Sequence, residues 1–167
     1  EQWLNDRQAE LLPCGYFHLV FTLPHELNPI ILCNKRVMLG LLFSAVNQTL
    51  KAFARDPQWR LKGQLGFILV LHTWSQTLMD HFHLHCLIPA GALSLSKDKW
   101  VPARSSFLFR VGSLAKAFRK RYLFLLKAAR DKHQLIFPGK TSCYASREAF
   151  DNVTQALAQL TWIVYAK

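Results

Sequence analysis

The chain has 167 residues, 51% of them apolar and 19% charged, with a formal net charge of +11 at pH 7. That length and balance predict one globular domain with a proper core and exclude a disordered chain. No apolar run reaches the roughly 18 residues of a membrane span, and the charge favours a polyanionic partner, nucleic acid ahead of an acidic membrane surface.

Residues 3–12 have a short helical pattern, stopped by Pro13. The opening residues do not read as a signal peptide. Cys14, Cys33, Cys86 and Cys143 are scattered, as expected of reduced thiols in a cytosolic protein. Residues 16–23 are aromatic and β-branched and predict a strand apolar on both faces, ended by Pro24. Asn28 as N-cap and Pro29 at the first helical position open a helix reaching about Arg55. Met38, Leu41, Leu42, Ala45, Val46 and Phe53 recur along it at helical spacing, and Asp56-Pro57 closes it.

Residues 63–66 read as a turn and 67–74 as a second central strand. The histidine-rich segment 81–89 follows, so the two predict an antiparallel hairpin. A register that sets Gln76 across from His83 puts the Gln76 amide on the histidine face, and a slip of one residue turns it away. Residues 92–101, with Lys97-Asp98-Lys99 at the middle, predict a peripheral hairpin, and 107–111 a short strand. Ser113 caps a long helix to about His133, with Leu114, Phe118, Leu125, Leu126 and Ala129 inside. Its other positions carry Lys116, Arg119, Lys120, Arg121, Lys127, Arg130 and Lys132. Such a run is either a solvated face or a surface for a phosphate backbone. Ser146 caps a last helix to about Leu160, and 162–165 begin a final strand. The order β-α-β-β-hairpin-α-α-β predicts an α+β fold, a central antiparallel sheet with helices packed against it and the histidine strand at its centre.

His81, His83 and His85 alternate with Phe82, Leu84 and Cys86. On a strand the three rings share one face, and successive same-face positions lie about 6.6 Å apart. A single strand histidine is ordinarily solvated or hydrogen-bonded. Three at period two cost stability unless something binds them, which points to a metal. The cysteines form no CxxC, so a closed zinc site is not indicated. Histidines with an oxygen ligand and open water positions suit Mg2+ or Mn2+.

Four stretches carry a resemblance: 16–28 (YFHLVFTLPHELN), 71–76 (LHTWSQ), 81–89 (HFHLHCLIP) and 162–167 (WIVYAK). Together, and in this order, they resemble the transposase domain of rolling-circle insertion sequences. That is the two-tyrosine branch of the HUH (His-hydrophobic-His) single-strand endonucleases. The resemblance implies an HUH-type, Rep-like fold over residues 1–167 and DNA transposition by metal-dependent single-strand cleavage and strand transfer. His83 and His85 would bind Mg2+ or Mn2+, and Gln76, seven residues upstream of His83, would complete the ligand set. An active-site tyrosine would attack the scissile phosphate, giving a 5′-phosphotyrosine and a free 3′-OH. The implied partner is single-stranded DNA at a transposon end, hairpin ends included, with Lys116, Arg119, Lys120, Lys127 and Arg130 as backbone contacts. No membrane partner is implied, and the protein is expected in the bacterial cytoplasm at the nucleoid.

The family's Tyr-x-x-x-Tyr pair lies on a helix shortly beyond the segment matching 162–167. The domain is therefore expected to be incomplete at its C-terminal end, with no catalytic tyrosine in this chain. Tyr165 matches a strand residue of the family. Its place near the end also predicts fraying. Tyr16, Tyr122 and Tyr144 have no supporting motif. A non-catalytic single-stranded-DNA-binding remnant of the same fold is the alternative. A histidine-metal hydrolase or oxygenase is a third reading, and it would want a Glu or His at a fixed interval after His85, where none occurs before His133.

Overall fold

The computed structural model describes residues 1–59, 61, 63–74, 80–103 and 108–167. Strand β4 (Asp80–Pro89) sets the architecture through its period of two. Phe82, Leu84, Cys86 and Ile88 are buried, while His81, His83 and His85 are half-buried on the opposite face. With β1 (Tyr16–Thr22), β3 (Ile68–Trp74) and β7 (Val164–Ala166), it forms a sheet in the order β3-β4-β1-β7. All three pairings are antiparallel. The histidine strand is central, as expected.

Two strand expectations need correction. β1 is buried on one face only, through Leu19 and Phe21; the other face carries half-buried His18, Val20 and Thr22. Its aromatic and aliphatic residues read as two buried faces, yet helices cover just one side of the sheet. β3 is an edge strand rather than a second central one. That placement leaves Ile68 and Val70 exposed.

Helices α2 (Asn28–Cys33), α3 (Lys35–Arg55), α4 (Val111–Asp131) and α5 (Arg147–Gln159) follow the predicted order, after α1 (Gln2–Ala9). The helix expected to run unbroken from 28 to 55 is split at Asn34 (φ −133°, ψ 35°). The Asn34 amide donates to the carbonyls of Ile30 (3.0 Å) and Ile136 (2.8 Å), and its oxygen accepts the Ile136 N–H (2.8 Å). These three bonds tie the chain beyond α4 to the α2–α3 joint. Leu27 holds the cap position expected of Asn28, whose side chain donates instead to the Asp80 carbonyl.

The apolar side of α4 packs on the buried face of the sheet. Phe118 meets Phe21 and Trp162 edge-on, at centroid distances of 5.2 and 5.4 Å. The Tyr122 hydroxyl donates to the Met38 carbonyl of α3. α4 starts at Val111 with Arg110 as cap residue, not at Ser113. Phe107 lies outside the described residues, and 108–111 form no strand. Leu108 and Phe109 are buried instead, with Phe109 edge-on to Phe53 and Trp59. α3 is long and apolar enough to cross a membrane by composition, but its Met38, Leu42, Ala45, Val46 and Leu50 lie in the core.

A small second sheet has the order β2-β5-β6, from β2 (Gly63–Gln64), β5 (Gly91–Ser94) and β6 (Trp100–Pro102). The hairpin expected at 92–101 is therefore present. The segment read as a turn supplies a short strand, because Gly63 pairs with Ser94 and Gln64 with Leu93.

Candidate metal centre

The strand registers assemble the site. His72 of β3 lies directly opposite His83, and Val70 opposite His85. Directly paired residues project to the same face, so His72 joins His83 and stands diagonal to His85. One ligand nitrogen from each of His72, His83 and His85 can be chosen so that all lie within 4.8 Å of one another. Two nitrogens on one ion stand at most about 4.2 Å apart (twice ~2.1 Å), so small side-chain rotations suffice to bring them onto it. Among the described residues this group contains no carboxylate and no thiolate.

The protonation states suit a ligand set. Desolvation holds both His83 and His85 below the ordinary histidine value of 6.5. His81 and His72 add repulsion at His83, as His72, His83 and His18 do at His85. Both rings are therefore neutral at pH 7 with a lone pair to give. Their outward nitrogens are set by hydrogen bonds. His83 Nδ1 lies 3.0 Å from the His81 carbonyl, to which it donates, leaving Nε2 for an ion. His85 Nδ1 lies 2.8 Å from Nε2 of His18, with the two rings only 9° from parallel. In the tautomer in which His85 Nδ1–H donates to His18, His85 Nε2 is likewise free. Such outer partners fix the tautomer and raise the basicity of the ligating nitrogen.

Two members of this centre escaped the sequence reading. His72 sits in a stretch that carried the resemblance without a role, and His18 sits on a strand read as buried on both faces. A correct hairpin register finds the first, because it sets His72 against His83. In the observed register His72 stands opposite His83. Gln76 itself lies outside the described residues. His81 is on the same face, but its carbonyl serves His83 and it is not one of the converging three. Cys86 faces the core, where burial pushes its thiol up to about 12, so it is an inert packing group.

Tyr165 pairs with Val20, and Val20 pairs with His85. The row Val70–His85–Val20–Tyr165 thus crosses the open face, placing exposed Tyr165 two strand spacings, about 9.6 Å, from His85. The end of β7 is tied: His18 and Lys167 exchange both backbone hydrogen bonds, at 2.8 and 2.9 Å. Fraying expected at this strand is countered by that pair. Tyr122 is fully buried, with its hydroxyl pushed upward by desolvation. Tyr16 accepts the Leu12 N–H through its hydroxyl, and Tyr144 packs near Phe137. Around the histidines the open face is apolar and accessible, with Ile68, Val70, Leu87 and Ile163 exposed. The Trp74 ring lies nearly parallel to His72, 12° apart with centroids at 5.0 Å.

The basic residues of α4 divide into two groups. Arg119 donates to the Leu160 carbonyl at 2.7 Å, tying down the segment after α5. Arg130 stands over the Phe150 ring and donates to the Ala145 carbonyl. Lys116, Lys120 and Lys127 are exposed, and Lys127 makes one exposed ion pair with Asp151 at 3.7 Å.

Comparisons with known proteins add to this geometry. The Y2_Tnp family model, described as "Putative transposase", matches residues 66–167, which include β3, β4 and the three converging histidines. The chain is 41% identical over 166 residues to "Putative transposase y4qJ" of Sinorhizobium fredii (strain NBRC 101917 / NGR234), covering 99% of this chain and 42% of that protein. It is 29% identical over 127 residues to "Transposase for insertion sequence element IS801" of Pseudomonas savastanoi pv. phaseolicola, covering 76% of this chain and 28% of that protein. The chain thus spans less than half the length of these relatives. No solved structure matches.

Proposed function

Because the chain belongs to the Y2 transposase family, we propose that its open sheet face is the metal- and DNA-binding core of a transposase that cuts and rejoins single-stranded DNA. The observation that carries this reading is the convergence of His72, His83 and His85 on one accessible face. An all-imidazole set favours Mn2+ over Mg2+, which prefers oxygen ligands. A divalent cation held there would neutralise charge on the scissile phosphate.

The protein's own groups do the rest. His18 and the His81 carbonyl hold the ligand rings in their tautomers. Trp74 and Tyr165 offer aromatic surfaces on which unpaired bases stack on either side of the histidines. In the step itself, a tyrosine oxygen attacks phosphorus and the bond to the 3′ oxygen breaks. That oxygen takes up a proton as the free 3′-OH, and the phosphotyrosine conserves the bond energy for rejoining. The attacking tyrosine belongs to the Tyr-x-x-x-Tyr helix implied by the resemblance. Tyr165, about 9.6 Å across the sheet from His85, contacts the strand instead.

A denaturing gel with labelled single-stranded oligonucleotide and Mn2+ tests the assignment. The 167-residue chain is expected to give no covalent adduct, while a form extended through that helix gives one that His72→Ala abolishes. An adduct from the 167-residue chain that disappears in Tyr165→Phe would overturn the placement of the nucleophile.

A further inference from the structure

The helical side of the protein carries a feature that the histidine face does not use. α4 and α5 lie side by side on the far side of the sheet, and between them runs a groove of about 610 Å3. Its walls include Lys116, Lys120 and Lys127, all exposed, and its apolar surface includes Leu123, Phe124 and Ala158. Phe124 is 65% exposed, on a helix whose other large aromatics, Phe118 and Tyr122, are fully buried. Solvation alone accounts for lysines on an outer helix face. It does not account for a large aromatic ring standing in water among them.

We propose that this groove is a second single-stranded nucleic-acid site, separate from the histidine face. The inference rests on the reading of the protein as a transposase and extends it. Three lysines along about three turns of helix, roughly 16 Å from first to last, match a run of backbone phosphates by charge. An accessible ring among them supplies a stacking platform for an unpaired base. A duplex keeps its base faces stacked and cannot use Phe124, whereas a single strand can. Asp151, the one acidic wall residue among the described residues, is already engaged with Lys127 and Arg147. Arg119 lines the groove, but its guanidinium is bonded to the Leu160 carbonyl, so it shapes the wall. The groove and the three histidines share no residue, so a strand held at both must run between them, or two strand segments are held at once.

The test measures fluorescence anisotropy of a labelled oligothymidylate of about 12 residues with EDTA present, which silences the metal centre. Binding to the wild-type protein should persist and weaken steeply with salt. Lys116→Gln, Lys120→Gln and Lys127→Gln together should reduce the slope of log affinity against log salt by about 2, at ~0.7 per phosphate on a single strand. Phe124→Ala should weaken binding between about fivefold and a hundredfold with the slope unchanged. Matching melting curves verify that these surface variants are folded.

An unchanged slope in the lysine variant, or an unchanged affinity in Phe124→Ala, would overturn the proposal. So would duplex DNA binding as tightly as the single strand, and competition by polyglutamate as strong as by oligothymidylate would point to an acidic protein partner instead. His83→Ala/His85→Ala should retain this EDTA-resistant binding. Failure of the groove and failure of the metal centre therefore give different results.

Discussion

Replacing His18 by phenylalanine isolates what the outer hydrogen bond contributes to the metal centre. Phenylalanine keeps a flat ring beside His85 but removes the nitrogen 2.8 Å from His85 Nδ1. Without that acceptor, His85 is free to turn over or to place its proton on Nε2, where an ion must bind. Losing an outer partner of this kind costs about 10- to 100-fold in metal affinity, or about 1.4–2.7 kcal/mol. His18→Gln offers an amide oxygen to the same proton and should recover part of the loss. Isothermal titration with Mn2+ measures all three proteins, and thermal melts should stay close because His18 is only half-buried. Equal Mn2+ affinity in wild type and His18→Phe would refute the reasoning and show that His85 does not depend on His18 for its orientation.

Other predictions follow from the same structure. Asn34→Ala removes three hydrogen bonds and strands the Ile30 and Ile136 carbonyls and the Ile136 N–H. It should lower stability by about 3 kcal/mol, at ~1 kcal/mol per bond, read as a fall in the urea midpoint. His83 and His85 are held below 6.5, chiefly by desolvation, so the unfolded chain binds more protons than the folded one in mildly acidic solution. Stability of the metal-free protein should be full above pH 6.5 and fall as the pH drops below it towards the folded values. His83→Asn/His85→Asn should flatten that dependence, measured as urea midpoints across the acid range.

Much of the fold is legible in the chain because its cues are local. The alternation of His81, His83 and His85 with Phe82, Leu84 and Cys86 fixes a one-faced strand. The 3.6-residue pattern of Leu114, Phe118 and Leu126 likewise marks the buried side of α4. What escapes is decided by distant partners. Asn34 breaks a helix whose periodicity continues across it, because Ile136, far along the chain, offers it both backbone groups. His72 joins the centre only through the register with β4, which shifts between His72 and Trp74 and so defeats simple alternation counted back from His83. His18 is hidden because helices cover one side of β1 and leave the other open. In α4, counting charge cannot separate Arg119 and Arg130, spent on the carbonyls of Leu160 and Ala145, from the outward lysines.

The central claim is that His72, His83 and His85 form one cation site. Isothermal titration of Mn2+ into the wild-type protein and into His72→Ala, His83→Ala, His85→Ala and His81→Ala tests it most directly. The account predicts one ion bound per chain, lost in each of the first three variants and kept in His81→Ala, whose ring is not among the converging three. Mn2+ bound equally well by wild type and His83→Ala/His85→Ala would contradict it.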